Sequence, residues 1–245
     1  MTITKAVSIT NGAGVGGTIP VSGTSGIVVS AGASDTVRLR GLVFDGLNAS
    51  GTSGIVFTSG ARLHIQNCEL RGFTTSGITF SPGAGSAATA QLIIRDTMIF
   101  SNATGLLIQP TGGIAADVTL RWLHIDANNG EGLRIDGTGG PGAIVANITD
   151  STTSLNAGNG IDAVSGPGNA TVIVQRVVAA LNGSTGILSN QTNGGTANVT
   201  VSSSALYANA ISIQATGGAS LLTDSGNQVT GNASNGSFTG IANLQ

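Results

Sequence analysis

The chain has 245 residues, 8% of them charged, and a formal net charge of −2 at pH 7; its one lysine and eight scattered arginines give no basic field for nucleic acid. The single cysteine, Cys68, excludes an internal disulfide, and no stretch approaches the roughly 18 consecutive apolar residues of a membrane span. A hydrophobic content of 40% beside so little charge argues for a buried core rather than disorder.

The amino terminus, Met1-Thr2-Ile3-Thr4-Lys5, alternates like a strand and does not read as a signal peptide. From there a Gly followed by Ile or Leu recurs every 23 to 30 residues: Gly26-Ile27, Gly54-Ile55, Gly77-Ile78, Gly105-Leu106, Gly132-Leu133, Gly160-Ile161, Gly186-Ile187 and Gly240-Ile241, with Ala210-Ile211 filling one gap. A period of this size marks stacked repeats, and it sets the fold as one solenoid domain over 1–245. After each pair comes a short period-two alternation, as in Ile55-Val56-Phe57, which sends Ile55 and Phe57 to one side and Val56 to the other. Loops such as Ser81-Pro82-Gly83-Ala84-Gly85-Ser86 then turn the chain.

A second run aligns separately. Leu63-x-Ile65-x-x-Cys68-x-Leu70 matches Leu92-x-Ile94-x-x-Thr97-x-Ile99, Val118-x-Leu120-x-x-Leu123-x-Ile125 and later copies. Its two-residue step breaks alternation and predicts a corner between two strands, which makes three short strands per coil. Ten residues after the start of this run stand Asn102, Asn128, Asn156, Asn182 and Asn209; earlier coils put Leu47 and Phe73 there. With coils about 4.8 Å apart, stacked asparagine amides form a ladder, a structural device rather than a binding site. Cys68 shares a column with Leu42, Thr97, Leu123 and Val177 and reads as a small buried hydrophobe. The Asn-x-Ser/Thr triplets, Asn48 and Asn198 among them, follow from composition and are not read as glycosylation sites.

These features together resemble a right-handed parallel β-helix of the pectate-lyase-like superfamily. From Thr2-Ile3-Thr4-Lys5 through Leu39-Arg40-Gly41-Leu42 to Gly226-Asn227 and Gly231-Asn232, the chain is similar to a little-characterised bacterial family of secreted-looking β-helix repeat proteins. The resemblance covers essentially the whole chain. It implies an extracellular or cell-surface location and an upstream segment ahead of Met1. Without that segment the first coil is an open edge that invites end-to-end self-association.

The resemblance also implies an enzyme hypothesis, because many superfamily members cleave acidic polysaccharides. The Arg-x-Pro-x-x-Arg segment of pectate lyases is absent here, as are the Asn-Thr-Asp, Asp-Asp, Gly-His-Gly and Arg-Ile-Lys motifs of polygalacturonases. Nine Asp and two Glu remain as candidates. Repeat alignment puts Arg134 beside Asp162 on the outer face, with Asp136 diagonal to it and Asp126 and Glu131 nearby. That spacing suits an inverting carboxylate pair or a Ca2+ ion held by oxygens, and its plainer meaning is a surface ion pair. A second outward column, Arg40, Gln66, Arg95, Arg121, Thr149 and Gln175, sets Arg95 against Arg121. Two like charges in contact suit a bridging carboxylate or sulfate of an acidic glycan, unless Asp96 neutralises them. His64 and His124 read as solvated strand residues, and Trp122 and Tyr207 as single aromatics on separate coils. Val28, Val56, Leu107 and Leu188 form a partly apolar outer column suited to packing against a partner.

The sequence therefore predicts an all-β, single-stranded right-handed parallel β-helix of about nine coils. The function it supports first is a non-enzymatic structural or binding module for a polysaccharide, a surface or a protein partner, with no cofactor and no catalytic residue assigned. The alternative is a lyase or glycoside hydrolase acting on an acidic glycan through Arg134, Asp136 and Asp162.

Overall fold

A computed structural model of the protein describes residues 1–12, 17–47, 49–224 and 226–242; Asn48 lies outside them. One 3-10 turn at Gly137–Gly139 aside, the regular elements among these residues are β-strands. Successive coils pair in parallel. A nine-stranded sheet takes one strand from each coil, beginning with Thr2–Ile3, Ile27–Ser30, Ser53–Ser59 and Ser76–Phe80 and ending with Ile211–Thr216. The second face runs from Val7–Thr10 and Thr36–Arg40 through Arg62–Gln66 to Ser220–Thr223. The third face consists of short strands such as Val43–Asp45, Glu69–Arg71 and Val178–Ala180. In two coils the second and third strands run together, as Thr89–Phe100 and Ala115–Asp126.

The Gly-aliphatic phrase has a packing cause. Ile27, Ile55, Ile78, Leu106, Leu133, Ile161 and Ile187 stack in register, all buried. The glycine before each sits where neighbouring coils leave no room for a side chain: a Cβ on Gly105 would stand 2.4 Å from the Gly132 carbonyl oxygen and 2.9 Å from Asn128 Nδ2. Any side chain there would push the coils apart. Two members of the sequence series fall out of this column. Ile187 pairs with Ile213, so Ser212-Ile213 and not Ala210-Ile211 continues it, and Gly240-Ile241 pairs with Leu222-Thr223 in the second face. The last coils differ in loop length, and counting from the preceding pair misplaces them.

The predicted corner is present in every coil that carries the run. Gly41, Asn67, Asp96, Trp122, Asp150, Arg176 and Ser203 all adopt positive φ, between 48° and 70°. A second corner uses the same conformation at Gly72, Ser101, Ala127, Leu155, Leu181 and Ala208. Left-handed backbone costs a non-glycine residue about 1–2 kcal/mol, so these corners need compensation. The asparagine ladder supplies it immediately after the second corner. Asn156 Nδ2 donates to Ile125 O at 3.0 Å and to Asn182 Oδ1 at 3.1 Å, while its own Oδ1 accepts from the backbone N and Nδ2 of Asn128. Asn102, Asn128, Asn182 and Asn209 repeat the pattern, so every amide position has a partner.

The ladder extends one rung beyond the sequence reading. Asn232 Oδ1 accepts from Asn209 N and Nδ2, but a one-residue insertion before it breaks the ten-residue offset. At the other end Phe73, buried, closes the ladder by donating its backbone N to Asn102 Oδ1. Leu47 does not belong to the column. It turns outward at φ 48°, its backbone N held by Asp45 Oδ1, and is 45% exposed.

The core is aromatic toward the amino-terminal coils, where Phe57 stacks on Phe80 with ring centroids 4.7 Å apart. Further along, the same column narrows to Ala163 and Ser189. Cys68 is buried as expected, and burial pushes its thiol pKa up. Each fully buried Ile, Leu or Phe contributes about 1.5–3 kcal/mol, and this stack is the main source of stability.

Candidate functional site

The alignment of Arg134 with Asp162, and the diagonal position of Asp136, hold in the structure. Arg134 Nη1 donates to Asp162 Oδ2 at 2.7 Å, Nε donates to Asp136 Oδ2 at 3.0 Å, and Glu131 lies 3.9 Å from Nη1. The open outer face expected for these residues does not. The side chains of Asp136 and Asp162 are only 5% and 4% exposed. The chain leaving Asp136 folds back as the 3-10 turn, with Thr138 donating its backbone N and its hydroxyl to Asp136 Oδ1. Asp162 stands in the sheet between Arg134 and Leu188.

Burial alone would raise the Asp136 carboxyl, but the bonds from Thr138 and Arg134 outweigh it and hold the pKa below the usual range. For Asp162 burial wins over the attraction of Arg134 and raises the pKa to about 6. Its Oδ1 is buried with no partner. Both carboxylates are closed to a sugar: Arg134 takes the Oδ2 of each and Thr138 takes Asp136 Oδ1, which leaves only the buried Asp162 Oδ1 open. Among the described residues no three His, Cys, Asp or Glu side chains are grouped to hold a metal ion.

The arginine column is also in register: Arg40, Gln66, Arg95, Arg121, Thr149 and Gln175 are successive neighbours. Its two central arginines nevertheless differ. Arg121 Nε donates to Asp150 Oδ2 at 3.2 Å, and its guanidinium lies 4.0 Å over the Trp122 ring. Asp150 binds Arg176 as well, at 2.6 Å. Neutralisation thus comes from Asp150 on the next coil and not from Asp96, which accepts a 3.4 Å bond from Gln66 Nε2. Arg38, Arg40 and Arg95 are exposed and make no ion pair among the described residues.

Between them lies His64, paired in register with Arg38. It is half-buried, with Nε2 out of contact with solvent and without a partner, which corrects its reading as a solvated residue. Burial first, then the charges of Arg38, Arg95 and Arg62, lower its pKa from the usual imidazole range. His124 is solvated as expected, with Nδ1 3.1 Å from the Thr152 hydroxyl.

A cavity of about 520 Å3 lies over the first corner of the early coils. Arg40, Asn67, Glu69, Asp96 and Met98 form its wall. Met98 also lines an adjoining apolar cavity of about 240 Å3 with Phe100, His124 and Asp126. One coil beyond Asp96 on the same corner stands Trp122, 44% exposed. The corner therefore presents one outward side chain per coil, Asn67, Asp96, Trp122, Asp150 and Arg176, at steps of about 4.8 Å. The sequence reading missed this line, although the unassigned step in Leu-x-Ile-x-x is the place where it could be read. Asn and Asp are favoured in left-handed backbone, so their presence there masks any further role.

The model of the right handed beta helix region matches residues 5–177. None of the curated proteins matches the sequence. Among solved structures, the crystal structure of Dettilon tailspike protein (gp208) is similar, with a TM-score of 0.53 and 14% identity over 98% of this chain. The chain spans 60% of that protein's chain, and the likeness is one of fold. Among the described residues no helix is long and apolar enough to cross a membrane. Parallel coils, aliphatic stacks, corner conformations and the family match agree: this chain belongs to the right-handed β-helix family.

Proposed function

We propose that the chain is a non-enzymatic, surface-located binding module that holds a polysaccharide along the corner groove of its early coils. The observation that carries this reading is that a polar and an apolar cavity both have Met98 in their wall. A sugar presents hydroxyls at its rim and C–H groups on its faces. The groove meets the first with Asn67, Glu69, Asp96 and Arg40, and the second with Met98, Phe100 and the nearby Trp122. Such mixed lining, spread over several coils, suits a linear polymer lying along the solenoid axis. The likeness to a tailspike protein supports the fold that builds such a groove.

A second reading is hydrolysis, favoured by one observation: Glu69 and Asp96 line the same cavity, with Glu69 opposite Met98 on the next coil, two residues from Asp96. Glycoside hydrolysis uses such a carboxyl pair. Glu69, however, is tied to Arg71, which also binds Asp45, and that points to a fixed wall rather than a free acid.

Size-exclusion chromatography of neutral and acidic polysaccharides after incubation with the protein separates these readings. Co-elution of intact polymer, lost in Asp96→Ala and Trp122→Ala, is the expected result. Shortening of the polymer, abolished by Asp96→Asn or Glu69→Gln, would establish the hydrolase. Neither co-elution nor shortening for any polymer would overturn both.

A further inference from the structure

We propose that the second face of the early coils carries a separate oxyanion site, built from Arg38, Arg40, His64 and Arg95, that takes the sulfate or phosphate ester of a polymer. This deepens the binding reading above, and rests on it where the polymer is concerned. The ester site itself stands on three observations, none of which requires a polymer in the corner groove.

The first is a cavity of about 220 Å3 whose wall includes Ser8, Thr10, Arg38, Arg40, His64 and Gln66. Strand register brings these together. Ser8 and Thr10 pair with Arg38 and Arg40, and these in turn pair with His64 and Gln66. Arg95 follows Gln66 one coil further on. The wall thus contains hydroxyl, amide and guanidinium donors, and no carboxylate. It lies next to the corner cavity, and the two share Thr10 and Arg40.

The second observation is charge left over. Every other arginine of the described chain is engaged: Arg62 by Gln91, Arg71 by Asp45 and Glu69, Arg121 and Arg176 by Asp150, and Arg134 by Asp136 and Asp162. Of the carboxylates near in sequence, Asp35 is held by the Gly32 amide and Asp96, in the wall of the adjoining corner cavity, accepts a long 3.4 Å bond from Gln66 rather than pairing with an arginine. Three unpaired guanidinium groups within three coils repel one another, and an anion between them removes the cost. One arginine satisfies one planar carboxylate with a bidentate bond, whereas several donors approaching from different coils suit an oxyanion with three free oxygens.

The third observation is the buried, unpartnered Nε2 of His64. The cations facing it are Arg38 from the preceding coil, Arg95 from the following coil, and Arg62 from its own strand. Together they disfavour the imidazolium in the free protein. An anion in the cavity reverses that field, so binding takes up a proton and strengthens as pH falls through the imidazole range.

The test compares dextran sulfate, phosphorylated dextran, polygalacturonate and uncharged dextran with inorganic sulfate at constant ionic strength. Binding is followed by titration and by the ring resonances of His64. The expected result is binding of one or both esterified dextrans, weakened about tenfold or more in Arg38→Gln and Arg95→Gln and within about twofold of wild type in Arg121→Gln. The His64 midpoint rises on binding, and preference for sulfate or phosphate identifies the ester. Equal binding of polygalacturonate, equal weakening in Arg121→Gln, or an unmoved His64 midpoint would overturn the site. If neutral polysaccharides bind and esters add nothing, the groove stands and the oxyanion site falls. If inorganic sulfate moves His64 but no polymer binds, the oxyanion site stands and the polysaccharide reading falls.

Discussion

Two charged regions of this solenoid lie on adjacent faces and behave as opposites. Around Arg134, three carboxylates converge on one guanidinium and the group closes on itself beneath the 3-10 turn. Around Arg38, Arg40 and Arg95, three guanidinium groups stand in the open with no counter-ion among the described residues. The first region is the denser in charge, and that density draws attention in the sequence. The second is the better binding candidate, because what a ligand can exploit is charge its own chain leaves unsatisfied. The same asymmetry runs along the axis: six of the nine cations but four of the eleven acids fall within the first 100 residues.

The most direct way to break this comparison is to remove the central cation of each region. Arg134→Met leaves Asp136 and Asp162 buried without their counter-charge, and the expected loss is about 3–5 kcal/mol by urea denaturation at pH 7. Arg95→Met removes an exposed side chain with no ion pair, and the expected change is within about 0.5 kcal/mol. Equal losses at the two positions would mean that the Arg134 group is an ordinary surface cluster.

A somewhat smaller effect is expected in the ladder. Asn156→Ala deletes two donated bonds and orphans the buried backbone N of Asn128, whose Nδ2 keeps Ile99 O, for an expected cost of about 2–3 kcal/mol. Asn232→Ala, at the less buried end rung, should cost about 1 kcal/mol. If the two variants melt alike, the ladder does not act through burial.

How much of this was legible in the sequence depends on period. A column repeated once per coil, such as the Gly-aliphatic pairs or Asn102 to Asn209, declares itself by spacing, and register follows from it. Arg134 opposite Asp162 and Arg95 opposite Arg121 were readable for that reason. Burial of an outward position was not readable, because it depends on where a non-repeating loop folds. Asp136-Gly137 does signal a turn, and an aspartate favours bonding the amide two residues on, but the pattern does not say how far that turn buries the carboxylate. Nor was the partner of a long side chain readable: Arg121 reaches the corner residue Asp150 on the next coil, away from Asp96 on the preceding one. Columns fix backbones, whereas rotamers and loops decide which charges meet.

The subtlest test uses pH within the closed region. Asp162 has a folded-state pKa of about 6, above the roughly 3.9 of an unfolded aspartate. Between these values the native state holds a proton that the unfolded state has released, so this group makes stability fall as pH rises from about 4 to 6. Asp136 is shifted the other way, and its contribution is lost as pH falls below the usual carboxylate range, outside that window. Asp162→Asn fixes the site in its neutral form and keeps an oxygen for Arg134. The wild-type stability curve should therefore drop relative to the variant by about 2 kcal/mol between pH 4 and 6, and the two should run parallel above pH 7. Curves that run parallel throughout would show that Arg134 keeps Asp162 ionised, and would place the unpartnered Oδ1 in contact with water.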